Sequence, residues 1–432
     1  MLARFQLQQR ETETKDQAAF KQRNAQLWDG IEKAIRDAET KQAEEAERLA
    51  AARRRQEQAE VEAKRAREAE HARMAAEQRA AAEKRAKEEE HAAKKAAEDA
   101  ETKRTAAMRG GDAIWPLVRS EYDWWEKEMA RIKKDVLPQV AKTPDMRKRA
   151  FTAKRAITPK IGQLTNSAGE IARITAAIDE VLAGAFSDGE VIYTWVLNHL
   201  AKCLIRQAEQ EVAAKQDTAF PLARVALGLV IAGHDRAGTV LMARLVKKCP
   251  WVLGYAPSRD GLDEPSFRRR LGFKTPDESS QLYSSRMSGI CALYFAILQL
   301  PIAEAMRTAR LPTSLPVEQL ATRVPEALRP ARLWSWQVRS LTPPHTHQPL
   351  VPALWCTFCE IAGPAALVRY GRQGNKLWKL LISGMREHKL GPSGGPEQDA
   401  VHAALVKLQL VLDAWEQGSF DAHTTGGRSM EP

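Results

Sequence analysis

Residues 37–107 contain neither proline nor glycine and consist almost entirely of Ala, Glu, Lys, Arg and Gln. These are among the strongest helix formers, because their side chains lose little freedom in a helix and do not compete for its backbone. The segment is therefore expected to form one continuous helix, about 105 Å long at 1.5 Å per residue. Glu60–Lys64, Glu83–Lys87 and Glu90–Lys94 place an acid four residues before a base, the favourable order on a helix surface. Leu49, Val61 and Met74 are its large apolar residues, too few for the sustained a/d seam of a standard coiled coil. An isolated charged helix, acting as a spacer, is the favoured expectation. An alanine-lined coiled coil with weak self-association is the other.

The motif "RGGDAIWPL" at 109–117 ends this pattern, with Gly110 and Gly111 as a helix stop and Asp112 as the next cap. All but one of the eleven tryptophans lie beyond it, the exception being Trp28. The expected organisation is a polar helical segment at 1–36, a charged single helix or coiled coil at 37–109, a globule at 112–420 and a disordered tail at 421–432. Helix follows helix through the globule. "SAGEIARITAAIDEVLAGA" puts Ile171, Ile174, Ile178 and Val181 on one face. "DGEVIYTWVLNHLAKCLIRQAEQEVAAK" is longer, with Asp188 as its N-cap. "FPLARVALGLVIAG" and "AGTVLMARLVKKCP" form a helix pair across a tight turn, and 316–340, 350–370, 373–387 and 396–417 add further helices. No strand alternation and no exact internal repeat interrupts them. The fold class that follows is all-α, a HEAT-repeat-like stack of antiparallel helices preceded by a long charged helix.

The charge lies where the chain can fold. The net charge is +11. Residues 37–107 balance 17 Lys/Arg against 18 Asp/Glu, whereas 108–432 hold 42 against 32. The globule should therefore meet anionic partners. Five cysteines, an odd number set mostly in apolar helical patterns, suit a reducing compartment. No leader-like segment opens the chain and no apolar run reaches the ~18 residues of a membrane span. A soluble intracellular protein without membrane insertion is expected.

No Walker loop, HExxH pair or nucleophile elbow is present, so no catalytic residue and no metal site are assigned. The CxxC spacing of Cys356 and Cys359 has no second pair to complete a zinc site and falls within an apolar helix. His345 and His347, in "TPPHTHQP", are read as solvated loop residues. The segment 256–279, with Arg268, Arg269 and Arg270, is a long functional loop. The cations give the stronger signal. Arg244, Lys247 and Lys248 crowd the end of one helix, and Lys202 and Arg206 form an i,i+4 pair on an otherwise apolar one. Lys154, Arg155 and Lys160 make a third group. Spacing alone leaves two readings open: a polyphosphate pocket, or solvated helix ends favoured by the helix dipole at ~0.3–1 kcal/mol.

"TPKIGQLTNSAGEIARI", "VLNHLAKCLIRQAEQEVAAKQDTAFPLARVAL", "LMARLVKKCPWVLGYAP" and "SSRMSGICALYFAILQ", in that order, resemble the Gle-one family of nuclear-pore mRNA export factors across roughly 112–420. The resemblance implies a non-enzymatic helical domain that binds inositol hexakisphosphate and stimulates the ATPase and RNA-release cycle of a DEAD-box RNA helicase. It locates that activity at the cytoplasmic face of the nuclear pore complex, with an FG-repeat nucleoporin and translation factors as further partners. Its inositol-phosphate residues correspond to Lys202, Arg206, Arg244, Lys247 and Lys248, with an earlier lysine assigned to Lys160 and Lys154 or Arg155 as alternatives. Arg206 replaces the histidine of some relatives and keeps the positive charge. The late aromatics Trp334, Trp336, Trp355, Phe358 and Trp378 are the candidates for a nucleoporin groove. The competing readings are an RNA-binding helical-repeat protein, disfavoured because the basic clusters lack interleaved exposed aromatics, and a purely structural pore scaffold. Sequence-specific nucleic-acid recognition is not expected.

Overall fold

The computed structural model describes residues 2–108, 114–311, 316–392, 398–420 and 428–431. Its regular structure is helical; among the described residues the one β-type pairing is a bridge between Ser167 and Glu431. The chain divides into two compact units, Met1–Lys103 and Arg104–Pro432.

The first unit is essentially α1, Leu2–Met108, and the charged segment forms an uninterrupted helix with the residues before it. On those preceding residues Phe20, Leu27, Trp28, Ile31 and Ile35 stand exposed. The three Glu–Lys pairs, the break at Gly110 and Gly111, and the cap at Asp112 lie outside the described side chains and residues.

The second unit is the HEAT-like stack. It comprises α2 Ile114–Arg131, α3 Leu137–Lys142, α4 Pro144–Gly162, α5 Ala168–Ser187, α6 Glu190–Gln207, α7 Ala219–Ala232, α8 Asp235–Lys248 and α9 Glu264–Arg270. It continues with α10 Ser280–Gln299, α11 Ile302–Thr308, α12 Val317–Arg323, α13 Ala331–Ser340, α14 Val351–Ile361, α15 Gly363–Arg386 and α16 Gln398–Glu416. α7 and α10 form its axis: α7 is buried almost throughout and α10 from Gly289 to Leu298, because these stretches are largely apolar around the whole helix, whereas Gln281, Leu282 and Ser285 near the start of α10 are exposed. α4, α6, α8 and α2 pack in succession on one side, and α14 and α16 on the other. α7 and α8 are the expected pair, joined through Gly233 at φ 128°, a backbone conformation open to glycine.

Several boundaries differ from the sequence expectation. The span 316–340 breaks into α12, a short 3-10 turn at Glu326–Leu328 and α13, because Pro325 and Pro330 cannot supply helix hydrogen bonds. Asp188 closes α5 and pairs with Arg149, while Gly189 precedes α6 without a side-chain cap. His345 is buried, not solvated: Nε2 accepts from the Ala256 amide at 2.8 Å, the ring stacks on Trp115 at 4.1 Å, and burial lowers its pKa to about 4. Of the expected disordered tail, 421–427 and 432 lie outside the described residues, whereas 428–431 pack against the start of α5 and the end of α14. Cys356 and Cys359 are buried in α14 as expected, and burial pushes the Cys356 thiol up to about 12. Among the described residues no His/Cys/Asp/Glu group has the makings of a metal site, and no single helix is long and apolar enough to cross a membrane.

The segment 256–279 is ordered by a buried arginine. Arg286 of α10 grips Glu278 at 2.6 Å and 2.8 Å, donates to the Gly272 carbonyl at 3.0 Å, and pairs with Glu209 at 3.0 Å. Phe273 stacks on Tyr283 at 3.7 Å, with Arg268 3.8 Å over its other face. At Gly272, φ 97°, a Cβ would collide with the Lys248 carbonyl, so the glycine lets this segment close over the last turn of α8.

Candidate polyanion site

The end of α8 lies against α6. Its apolar stripe, from Val240 to Val246, is buried, and the helix stops before Pro250, leaving Arg244, Lys247 and Lys248 half-buried at the rim. Arg244 Nη1 donates to Asn198 Oδ1 of α6 at 2.6 Å, which fixes its guanidinium between the two helices. On α6, Lys202 and Arg206 share the exposed face with the partly open His199. α4 brings Lys154 to the same place. A short π-helical turn, Ile132–Val136, follows α2 and brings Lys133 against Lys247.

Mutual repulsion and burial mark these groups as one cluster. Burial, then the charges of Lys154, Lys202, Arg206 and Arg244, pull the His199 imidazole down to about 4, so it is neutral. Its Nε2 is 2.9 Å from Thr158 Oγ1 and 3.3 Å from Cys203 Sγ. Lys202 is lowered by burial and then by Arg244, Arg206 and Lys154. Lys247 is lowered to about 7, first by burial and then by Lys133, Arg244 and Lys248. The carboxylate beside Arg244, Glu209, is committed to Arg286. Among the described residues Lys133, Lys154, Lys202, Arg206, Lys247 and Lys248 make no ion pair. A solvated helix end would leave a lysine near its ordinary value, because water screens its neighbours. At Lys247 it does not.

The structure thus brings together Lys202, Arg206, Arg244, Lys247 and Lys248. Lys160 stands apart: it faces Glu170 at the start of α5, where its charge adds to the stronger effect of Arg173 in lowering that carboxyl. The cations that stand beside the others are Lys154 and Lys133. Lys154 was an alternative in the sequence, but Lys133 gave no signal, because its nearness to Lys247 arises from the packing of α2 on α8. The aromatic candidates need correction. Trp336, Trp355, Phe358 and Trp378 are buried and pack on one another or on α10 and α16, so they do not form an open groove. Trp334 alone is partly open, against Tyr370 at 5.1 Å.

The fold and site define an all-α, HEAT-like domain with an unpaired cation cluster at converging helix ends. The sequence profile of the GLE1-like protein family matches residues 127–382, and the chain belongs to that family. It is 31% identical over 295 residues to the mRNA export factor gle1 of Schizosaccharomyces pombe, covering 67% of this chain and 55% of that protein. It is 29% identical over 316 residues to the mRNA export factor GLE1 of Saccharomyces cerevisiae, covering 70% and 53%. The chain spans about half the length of these yeast relatives. A chain in the solved complex of a substituted S. cerevisiae Dbp5 C-terminal domain bound to Gle1 and IP6 matches with a TM-score of 0.61 and 27% identity, covering 73% of this chain and 99% of that one.

Proposed function

We propose that the cluster formed by Lys133, Lys154, Lys202, Arg206, Arg244, Lys247 and Lys248 binds inositol hexakisphosphate. We further propose that the chain, itself not an enzyme, thereby activates a DEAD-box RNA helicase of the Dbp5 type in mRNA export at the cytoplasmic face of the nuclear pore. The observation that carries this is the half-buried Lys247, crowded by three cations and unpaired. A compact polyanion would relieve that repulsion, and no single helix end could neutralise it. Lysine suits the task as a strongly hydrated point charge that meets phosphate from any direction. Arg244, already held by Asn198, presents a fixed fork. Phosphates turned outward would remain free for basic residues of the helicase, so the ligand would join two cationic surfaces and its hold would weaken with salt. By binding one arrangement of the helicase lobes better than others, the chain would shift their population toward product and RNA release. The neighbour complex of Gle1, Dbp5 and IP6 supports this reading. An FG-repeat nucleoporin partner would have to use residues other than the buried tryptophans.

The test is helicase ATPase activity at limiting RNA, with and without the chain and inositol hexakisphosphate. Stimulation that needs the ligand is expected. Lys247→Gln with Lys248→Gln removes two charge-assisted contacts worth roughly 1.5–3 kcal/mol each, so affinity should fall by a factor on the order of 10² or more. Circular dichroism should be unchanged. Ligand binding by the double variant equal to wild type would reduce the cluster to a solvated helix end, and the absence of any effect on ATP hydrolysis would favour a structural scaffold.

A further inference from the structure

The cation cluster continues onto a surface of different chemistry. α4 carries Arg147, Lys148, Arg149, Lys154, Arg155 and Lys160 against a single acid, Asp145. The first five are exposed, and of these Arg149 is paired with Asp188. Amid them, contrary to the expectation that the basic clusters lack exposed aromatics, stands Phe151, 43% exposed. Its ring stacks on Trp195 of α6 at 6.2 Å and 29°, and Trp195 stacks on His199 at 5.7 Å and 11°. Lys154 Nζ sits 5.1 Å from the Phe151 ring centroid. Trp195, His199, Lys202 and Arg206 follow one another at spacings of four, three and four along one face of α6, the first two half-buried and the last two exposed, about 16 Å from first to last at 1.5 Å per residue. One track therefore runs from an exposed aromatic ring, along a stacked ladder, to unpaired cations. The neutral His199 ring extends the ladder as a flat face without adding to the charge.

We propose that this α4–α6 face binds single-stranded RNA, with an unpaired base stacking at Phe151, the exposed end of the ladder, and phosphates lying on Lys148, Lys154, Arg155 and Lys202. Aromatic faces alternating with basic residues are what sequence-tolerant single-strand binding requires. Inositol phosphates have no π-face to match the ladder, and duplex RNA keeps its bases stacked inside the helix. An acidic peptide would answer the cations but leave the ladder without a planar partner. Lys154 and Lys202 are common to this face and the polyanion cluster, but the inference does not rest on the polyanion reading, because Phe151 lies outside the proposed phosphate ligands.

The experiment uses the full chain and fluorescence anisotropy of a labelled 12-nucleotide RNA at physiological salt. Saturable binding is expected, with Phe151→Ala weakening it about tenfold and Phe151→Trp restoring it. An abasic strand of equal length should bind wild type no better than the RNA binds Phe151→Ala, and duplex RNA should do no better. Inositol hexakisphosphate binding should be unchanged in Phe151→Ala, which separates failure of this inference from failure of the polyanion site. Equal RNA affinity in wild type and Phe151→Ala, or equal affinity for abasic and base-bearing strands, would overturn the proposal. So would a Phe151→Ala variant that keeps RNA binding and loses helicase binding, since the face would then dock protein.

Discussion

Lys247 shows how far sequence spacing reaches and where it stops. Its place beside Arg244 and Lys248 is readable from "ARLVKKCP", since i,i+3 and i,i+4 residues share a helix face. Its contact with Lys133 is not, because it depends on how two distant helices pack. The same limit explains Lys160: basic residues at 154, 155 and 160 look equivalent in sequence, but the turn of α4 sends Lys154 to the cluster and Lys160 to Glu170. The crowding has a consequence in the free chain. The folded Lys247 titrates at about 7 against an ordinary 10.5. Between these values the unfolded chain keeps a proton that the folded chain has shed, so stability should rise with pH across that window and be lowest below it. Lys247→Met should flatten this slope and stabilise the domain near pH 7. Denaturant unfolding of both proteins at pH 6.5, 8 and 9.5 measures it, and parallel profiles would show that Lys247 is solvated after all.

Elements were legible where periodicity was strong and illegible where the backbone departs from a regular helix. The α7–α8 pair and the long α10 follow from their apolar patterns. The π-helical turns at Ile132–Val136 and Ala208–Val212 do not, because an inserted residue leaves no compositional mark. The second turn lies directly after Arg206 and is covered by α10 at Gly289, where a Cβ would collide with the Ala208 carbonyl and lie 2.8 Å from the Ala213 nitrogen. Both obstacles are backbone, so relief must come from moving one helix against the other. Gly289→Ala should therefore cost about 1–3 kcal/mol by overpacking, seen as a lower denaturant midpoint. Because the displaced turn adjoins Arg206, it should also weaken inositol hexakisphosphate binding in calorimetry. Wild-type stability in this variant would mean that the α10–α6 approach is looser than the structure has it.

At the scale of the whole chain, composition separated the polar helix from the globule. The apolar periods gave the all-α class, because each amphipathic helix must bury its stripe against another. What the pattern could not show is how the end of the chain returns to the body. Residues 428–431 contain one apolar side chain, Met430, and read as a polar tail, yet their backbone answers buried donors. Arg224 of α7, 1% exposed, bonds Glu304 at 2.6 Å, Asn166 at 2.8 Å and the Arg428 carbonyl. The Asn166 side chain donates to the Ser429 carbonyl at 2.7 Å, the Ala168 amide to the Glu431 carbonyl at 2.8 Å, and the Glu431 amide to the Asn166 carbonyl at 3.0 Å. The Arg428 side chain in turn donates to the Glu360 carbonyl at the end of α14. Removing 421–432 would take the Arg428 carbonyl from an arginine that water reaches poorly, at about 1–3 kcal/mol for a buried donor left open. Arg428→Ala keeps the carbonyl that Arg224 uses and loses the side-chain link to α14, so it should destabilise less. Urea unfolding should rank full chain above Arg428→Ala above the truncation. A truncated chain as stable as the full one would mean that solvent satisfies Arg224 and that the returning segment adds nothing to the fold.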